Sequence, residues 1–136
     1  MHAIDGDAKA VMGKLVEKLV DGYVKLDNAP GAFMPLVVEK IMDLPGFSAV
    51  YSLAHYGELN GDLMADPEMT FGELDGEFYP LSFRNDYLGF YQDVMSCQDV
   101  MSYQDGHEPV VDERLQKELT EFAALWLRNI KEQQGV

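Results

Sequence analysis

Positive charge is nearly missing from the middle of this chain. From Glu58 to Asp112, Arg84 is the only Lys or Arg, against Glu58, Asp62, Asp66, Glu68, Glu73, Asp75, Glu77, Asp86, Asp93, Asp99, Asp105, Glu108 and Asp112. Over all 136 residues, 24 Asp plus Glu oppose 10 Lys plus Arg, a formal net charge of -14. Such a chain repels nucleic acid and anionic membrane, and its self-repulsion costs stability. Solubility of a small domain requires much less charge. Cysteine is scarce too: Cys97 stands alone, so no internal disulfide and no thiolate cluster for a metal can form, and a reducing, cytoplasmic setting is expected. No uncharged apolar stretch reaches membrane-spanning length, and Met1-His2-Ala3-Ile4-Asp5 lacks the basic start of an export signal, so neither insertion nor export is expected.

Hydrophobic residues make up 47% of the chain, enough for one core, and the length suits a single domain over 1–136. Between Asp7 and Tyr23, Val11, Leu15, Leu19 and Tyr23 recur every fourth residue while Lys14, Glu17, Lys18 and Asp21 fall opposite, which predicts an amphipathic helix. Asp5 and Asp7 offer N-cap oxygens, and Asp27-Asn28-Ala29-Pro30-Gly31 is a break after it. From Asp112, a candidate N-cap, the same period returns with Leu115, Leu119, Phe122, Trp126 and Ile130 on one stripe. Between these helices the runs 34–41, 47–56, 68–74 and 78–83 are short and rich in β-branched or aromatic residues, and Asp75-Gly76 suits a tight hairpin turn. The expected fold is α+β: an antiparallel sheet of about four or five strands, with an N-terminal and a C-terminal helix on one face and the other face open.

Little in the residues points to catalysis. His55, Glu58, Asn60, Asp62, Asp66 and Glu68 are near neighbours, but a calcium loop needs alternate oxygen ligands between two helices, and His2 and His107 are remote, so neither metal nor cofactor is expected. No serine sits in a glycine-flanked elbow, no glycine-rich loop precedes a helix, and the chain is not expected to be an enzyme. Tyr91-Gln92-Asp93-Val94-Met95-Ser96 is followed by Cys97-Gln98-Asp99-Val100-Met101-Ser102 and Tyr103-Gln104-Asp105, a tandem unit that either lengthens a loop or hairpin or repeats an acidic ladder. Cys97 stands where the other copies have Tyr91 and Tyr103, which makes it a replaceable filler. The carboxylates Glu58, Asp62, Asp66, Glu68, Glu73, Asp75, Glu77, Asp86, Asp93, Asp99 and Asp105 are then either turn formers on a solvated surface or a concentrated negative field that imitates a nucleic-acid backbone.

The stretch His55-Tyr56-Gly57-Glu58-Leu59-Asn60-Gly61-Asp62-Leu63-Met64-Ala65-Asp66-Pro67-Glu68-Met69 resembles the signature of an uncharacterised domain carried by phages, plasmids and other mobile elements. Asp86-Tyr87-Leu88-Gly89-Phe90-Tyr91-Gln92 resembles its second block. That domain often has an aromatic residue where this chain has Gly57, and a Gln where it has Leu59. The resemblance, together with the charge, implies a non-enzymatic inhibitor of anti-CRISPR or antirestriction type, presenting its carboxylates to a host protein with a basic nucleic-acid-binding surface. Two other readings stand beside it: a mobile-element accessory protein that binds a protein partner through an apolar and aromatic surface, and an undetected metal-dependent hydrolase built on His55 with Asp62 or Asp66.

Overall fold

The computed structural model of the protein describes residues 1–27, 34–96 and 110–136. Helix α1 (Gly6–Glu17) buries Ala8, Val11, Met12 and Leu15, the stripe that its periodicity predicts. The periodicity runs on through Tyr23, but the helix stops at Glu17. Asp21 and Gly22 both take positive φ, 53° and 79°, and the reversal turns Tyr23 into the first residue of strand β1 (Tyr23–Leu26). Asp5 occupies the N-cap position without a capping side-chain bond.

Strands β2 (Leu36–Met42), β3 (Ala49–Leu59), β4 (Asp62–Leu74), β5 (Glu77–Asn85) and β6 (Phe90–Asp93) continue from β1 as a six-stranded antiparallel meander in chain order. The count exceeds the four or five expected, because β1 and β6, at four residues each, are too short to show an alternation of their own. Asp75-Gly76 makes the β4–β5 turn with φ of 53° and 78°, as its composition predicts, and Asn60-Gly61 makes the β3–β4 turn the same way with 54° and 85°. A two-stranded ribbon of β7 (Met95–Ser96) and β8 (Val110–Val111) leads into helix α2 (Glu113–Gln134), whose first turn is capped by Asp112 accepting from the Leu115 N–H at 3.0 Å.

Both helices cover the same face. The cross-strand row Val24, Val38, Leu53, Met69 and Phe83 points at them, and these residues belong to or pack on one core with Leu15 of α1 and Leu119, Trp126, Leu127 and Ile130 of α2. The N-terminal residues are clipped into this layer. Ile4, buried in the core, donates its N–H to the Phe78 carbonyl at 2.9 Å, and Gln116 of α2 accepts from the His2 N–H while donating to the Pro80 carbonyl. The architecture is therefore α+β, with a two-helix layer on one side of the sheet.

Candidate functional site: the uncovered sheet face

Side chains alternate along a strand, so every residue flanking the helix-facing row projects to the opposite side. The strand register assembles two rows there. One runs Tyr23, Glu39, Ser52, Thr70, Ser82, Asp93 across all six strands; the next runs Lys25, Val37, Ala54, Glu68, Arg84, Tyr91. Small residues occupy the centre, where the Thr70 and Ser82 hydroxyls hydrogen-bond to each other. Larger apolar side chains stand around them, with Tyr23, Ile41, Met42, Leu63 and Tyr91 all exposed. Over the far end of this face, the β2–β3 connection lays the Phe47 ring against Gly72 and at 6.4 Å from Tyr79.

The charges of the face are unequal. Tyr56 donates its hydroxyl to Glu68 at 3.2 Å, and burial, reinforced by the Glu68 carboxylate, pushes its pKa up to about 12. Burial and then the Asp93 charge raise Tyr91 as well. Arg84 is bound to Asp86 through Nε at 2.6 Å and Nη2 at 3.1 Å, a bidentate pair that raises the arginine and lowers the aspartate. Three carboxylates, Glu39, Glu68 and Asp93, thus share a surface on which one of the two cations is already engaged. At about 4.8 Å per strand, Glu39 on β2 and Asp93 on β6 lie roughly 19 Å apart.

The acidic residues singled out in the sequence are distributed more widely than their clustering in the chain suggests. Glu68 and Asp93 belong to the uncovered face; Glu39, which lies ahead of the acidic stretch, joins them through register alone. Asp62, Asp66 and Asp86 sit at one end of the sheet, where Asn85 Nδ2 donates to Asp66 at 2.9 Å and the Ala65 N–H to Asp86 at 2.7 Å. Glu73, Asp75 and Glu77 sit at the other end; Glu77 pairs with Lys9 at 2.6 Å, and Glu73 hydrogen-bonds Tyr51. Along β4 the two groups are separated by about 23 Å at their nearest members, Asp66 and Glu73, and by about 40 Å at their furthest. Antiparallel hairpins carry acids adjacent in sequence to opposite ends, which composition alone does not reveal. Glu58 is a residue of β3, and Asp99 and Asp105, with the second copy of the hexapeptide, lie outside the described residues.

His55 belongs to the helix-facing side. Buried beneath α2, it accepts the Trp126 indole N–H on Nδ1 at 3.2 Å, so its proton resides on Nε2. Burial lowers its pKa, while the Gln134 side chain and the charge of Asp66 pull it partly back. Among the described residues, no three or more of His, Cys, Asp and Glu group in a way that could hold a metal ion. No helix among them is long and apolar enough to cross a membrane.

The two sequence blocks that carry the resemblance meet in space. Asp86 and Asn85 bind Ala65 and Asp66, and the Tyr87 hydroxyl rests over Gly57, where a Cβ would collide with it. Gly57 is therefore the counterpart of Tyr87: the side chain missing from one block makes room for the ring of the other. Leu88, 78% exposed, projects from the same turn.

The chain belongs to a family described as a domain of unknown function (DUF6908), which matches residues 8–136. Comparison with curated proteins and with solved structures finds no match.

Proposed function

We propose that this member of the family is a non-enzymatic protein-recognition module, acting in the cytoplasm, whose uncovered sheet face receives a basic, partly apolar segment of another protein. One observation carries the reading. Among the described residues, helices cover only one side of the six-stranded sheet, and its other side combines exposed apolar side chains with Glu39, Glu68 and Asp93. Apolar and aromatic residues supply binding energy at such interfaces, and carboxylates select for Lys and Arg and speed encounter. A span of about 19 Å matches roughly six residues of extended chain, so the face suits a peptide segment better than a small metabolite.

A nucleic-acid decoy aimed at a host defence complex is the rival reading, and it draws on the same net charge. It asks for many carboxylates on one surface, whereas the described acids occupy both ends of β4, and Asp66, Glu77 and Asp86 already have partners. Selection of binders from a displayed random-peptide library separates the two. Enriched peptides are expected to join Lys or Arg to Leu, Tyr or Phe. Their binding should fall by about tenfold in the pair Glu39→Gln/Glu68→Gln and stay within about twofold in the charge-matched pair Asp62→Asn/Asp75→Asn. An equal response of both pairs would mean that bulk charge, and not this face, is what is recognised.

A further inference from the structure

Beside the Ser52–Thr70–Ser82 row, the uncovered face sinks into a concavity of about 200 Å³. Val50 and Ser82 are buried members of its lining, and Ile41, Met42, Tyr91 and Asp93 are exposed ones. Leu44 is held over the sheet by a turn in which the Phe47 N–H donates to the Leu44 carbonyl at 3.0 Å. The volume lies below the roughly 300–1,000 Å³ of sites for drug-sized ligands, so it admits a single side chain. Its chemistry is divided in the same way as a lysine: an apolar lining suited to an alkyl stem, with an exposed carboxylate and an exposed aromatic ring beside it. An anion is opposed by Asp93 and by Glu68, which lies two residues before Thr70 on β4.

Resting on the protein-recognition reading above, we propose that this concavity is the specificity pocket of the face, and that it takes one lysine side chain of the partner. Arginine fits less well. Its planar fork is built to engage both oxygens of a carboxylate in one fixed geometry, whereas an ammonium is a compact point charge that needs only the single carboxylate Asp93 beside an apolar lining.

The test uses the full chain and two small probes, N-acetyl-lysine methylamide and N-acetyl-norleucine methylamide, which share the stem and differ in the charge. Titration is followed by NMR of the methyl groups. Binding of the lysine probe should shift the signals of Ile41, Leu44 and Val50, with an affinity roughly fivefold above that of norleucine at low salt. In Asp93→Asn, an exposed position whose spectrum reports directly on folding, that advantage should fall to parity. Equal affinities in the unaltered chain, shifts confined to other parts of the molecule, or no shift at tens of millimolar lysine probe would each overturn the pocket. If the pocket fails while the Glu39/Glu68 pair still governs peptide binding, the wider face stands without it; the opposite pattern leaves a lysine pocket on a face with no further role.

Discussion

Replacing Asp86 by alanine should cost the protein about 1–4 kcal/mol, and the figure follows from three hydrogen bonds. The carboxylate accepts from the Ala65 N–H at 2.7 Å and from Arg84 at 2.6 and 3.1 Å. Ala65 is fully buried, so its orphaned N–H would lose a bond without gaining water, a penalty of about 1–3 kcal/mol. The Arg84 pair is partly open, with side-chain exposures of 48% and 17%, and adds up to about 1 kcal/mol. Asn at the same place keeps one acceptor for Ala65 but loses the charge and the oxygen that accepts from Arg84 Nε, so Asp86→Asn should cost roughly 1 kcal/mol. Urea denaturation at pH 7 measures both: with a slope of about 1–3 kcal/mol per molar, the alanine variant should lower the midpoint by on the order of 1–2 M at unchanged slope. The pH dependence has a definite sign. Arg84 first, then the Ala65 N–H, hold the Asp86 carboxyl below its ordinary value. Its contribution is therefore complete above the unfolded carboxylate pKa near 3.9 and fades as pH falls through the lower folded value. The gap between the unaltered chain and Asp86→Asn should be flat from pH 7 to pH 5 and narrow below about pH 4. An alanine variant that loses less than about 0.5 kcal/mol, or an asparagine variant as damaged as the alanine one, would refute the reasoning.

Two further predictions concern the opposite sides of the sheet. His55 has a folded pKa lowered by burial, so protonation favours the unfolded chain. Stability should be full above about pH 6.5 and decline as pH falls from there toward the folded value, by at most about 1.4 kcal/mol per pH unit, and His55→Gln, which still accepts from Trp126, should flatten urea-derived stability between pH 7.5 and 5.5. On the uncovered side, a Cβ at Gly72 would lie 2.5 to 2.9 Å from the Phe47 ring. Gly72→Ala should thus destabilise by about 1–3 kcal/mol in thermal or urea melts, and most of that loss should vanish in a Phe47→Ala background, where the ring is gone.

Helix α2 was legible because its apolar stripe and its Asp112 cap agree with one another. The Asp75-Gly76 turn was legible for the same reason: its composition and its backbone requirement coincide. Helix α1 was over-extended to Tyr23 because Leu19 and Tyr23 keep a four-residue spacing across a turn, and only the Asp21-Gly22 pair marks the change. That one sheet face lies open follows from placing both helices on the other, but which residues share that face could not be read. Its rows depend on register, and the register shifts between Lys40 and Met42, between Ala54 and Tyr56, and between Thr70 and Phe71. Each shift exchanges the faces for the residues beyond it, so an alternation followed along the sequence assigns Glu68, Tyr91 and Asp93 to a side only once all the preceding bulges are known. Glu39 carried one available signal, a single acid in the apolar run 36–41.

The composition of that face bears on what can occupy it. Exposed Tyr23, Ile41, Met42 and Tyr91 would by themselves invite a second copy of the chain to pack face to face. Glu39 next to one sheet edge and Asp93 on the other set like charges against like in such a pairing, and with a net charge of -14 the long-range field opposes it as well. A basic segment meets the reverse situation: the same carboxylates attract it, and the same apolar side chains hold it after contact. Salt would therefore act with opposite signs on the two associations, screening the repulsion between copies while weakening the attraction of a basic partner. The carboxylates that make the sheet face a poor surface for itself are those that make it a selective surface for another protein.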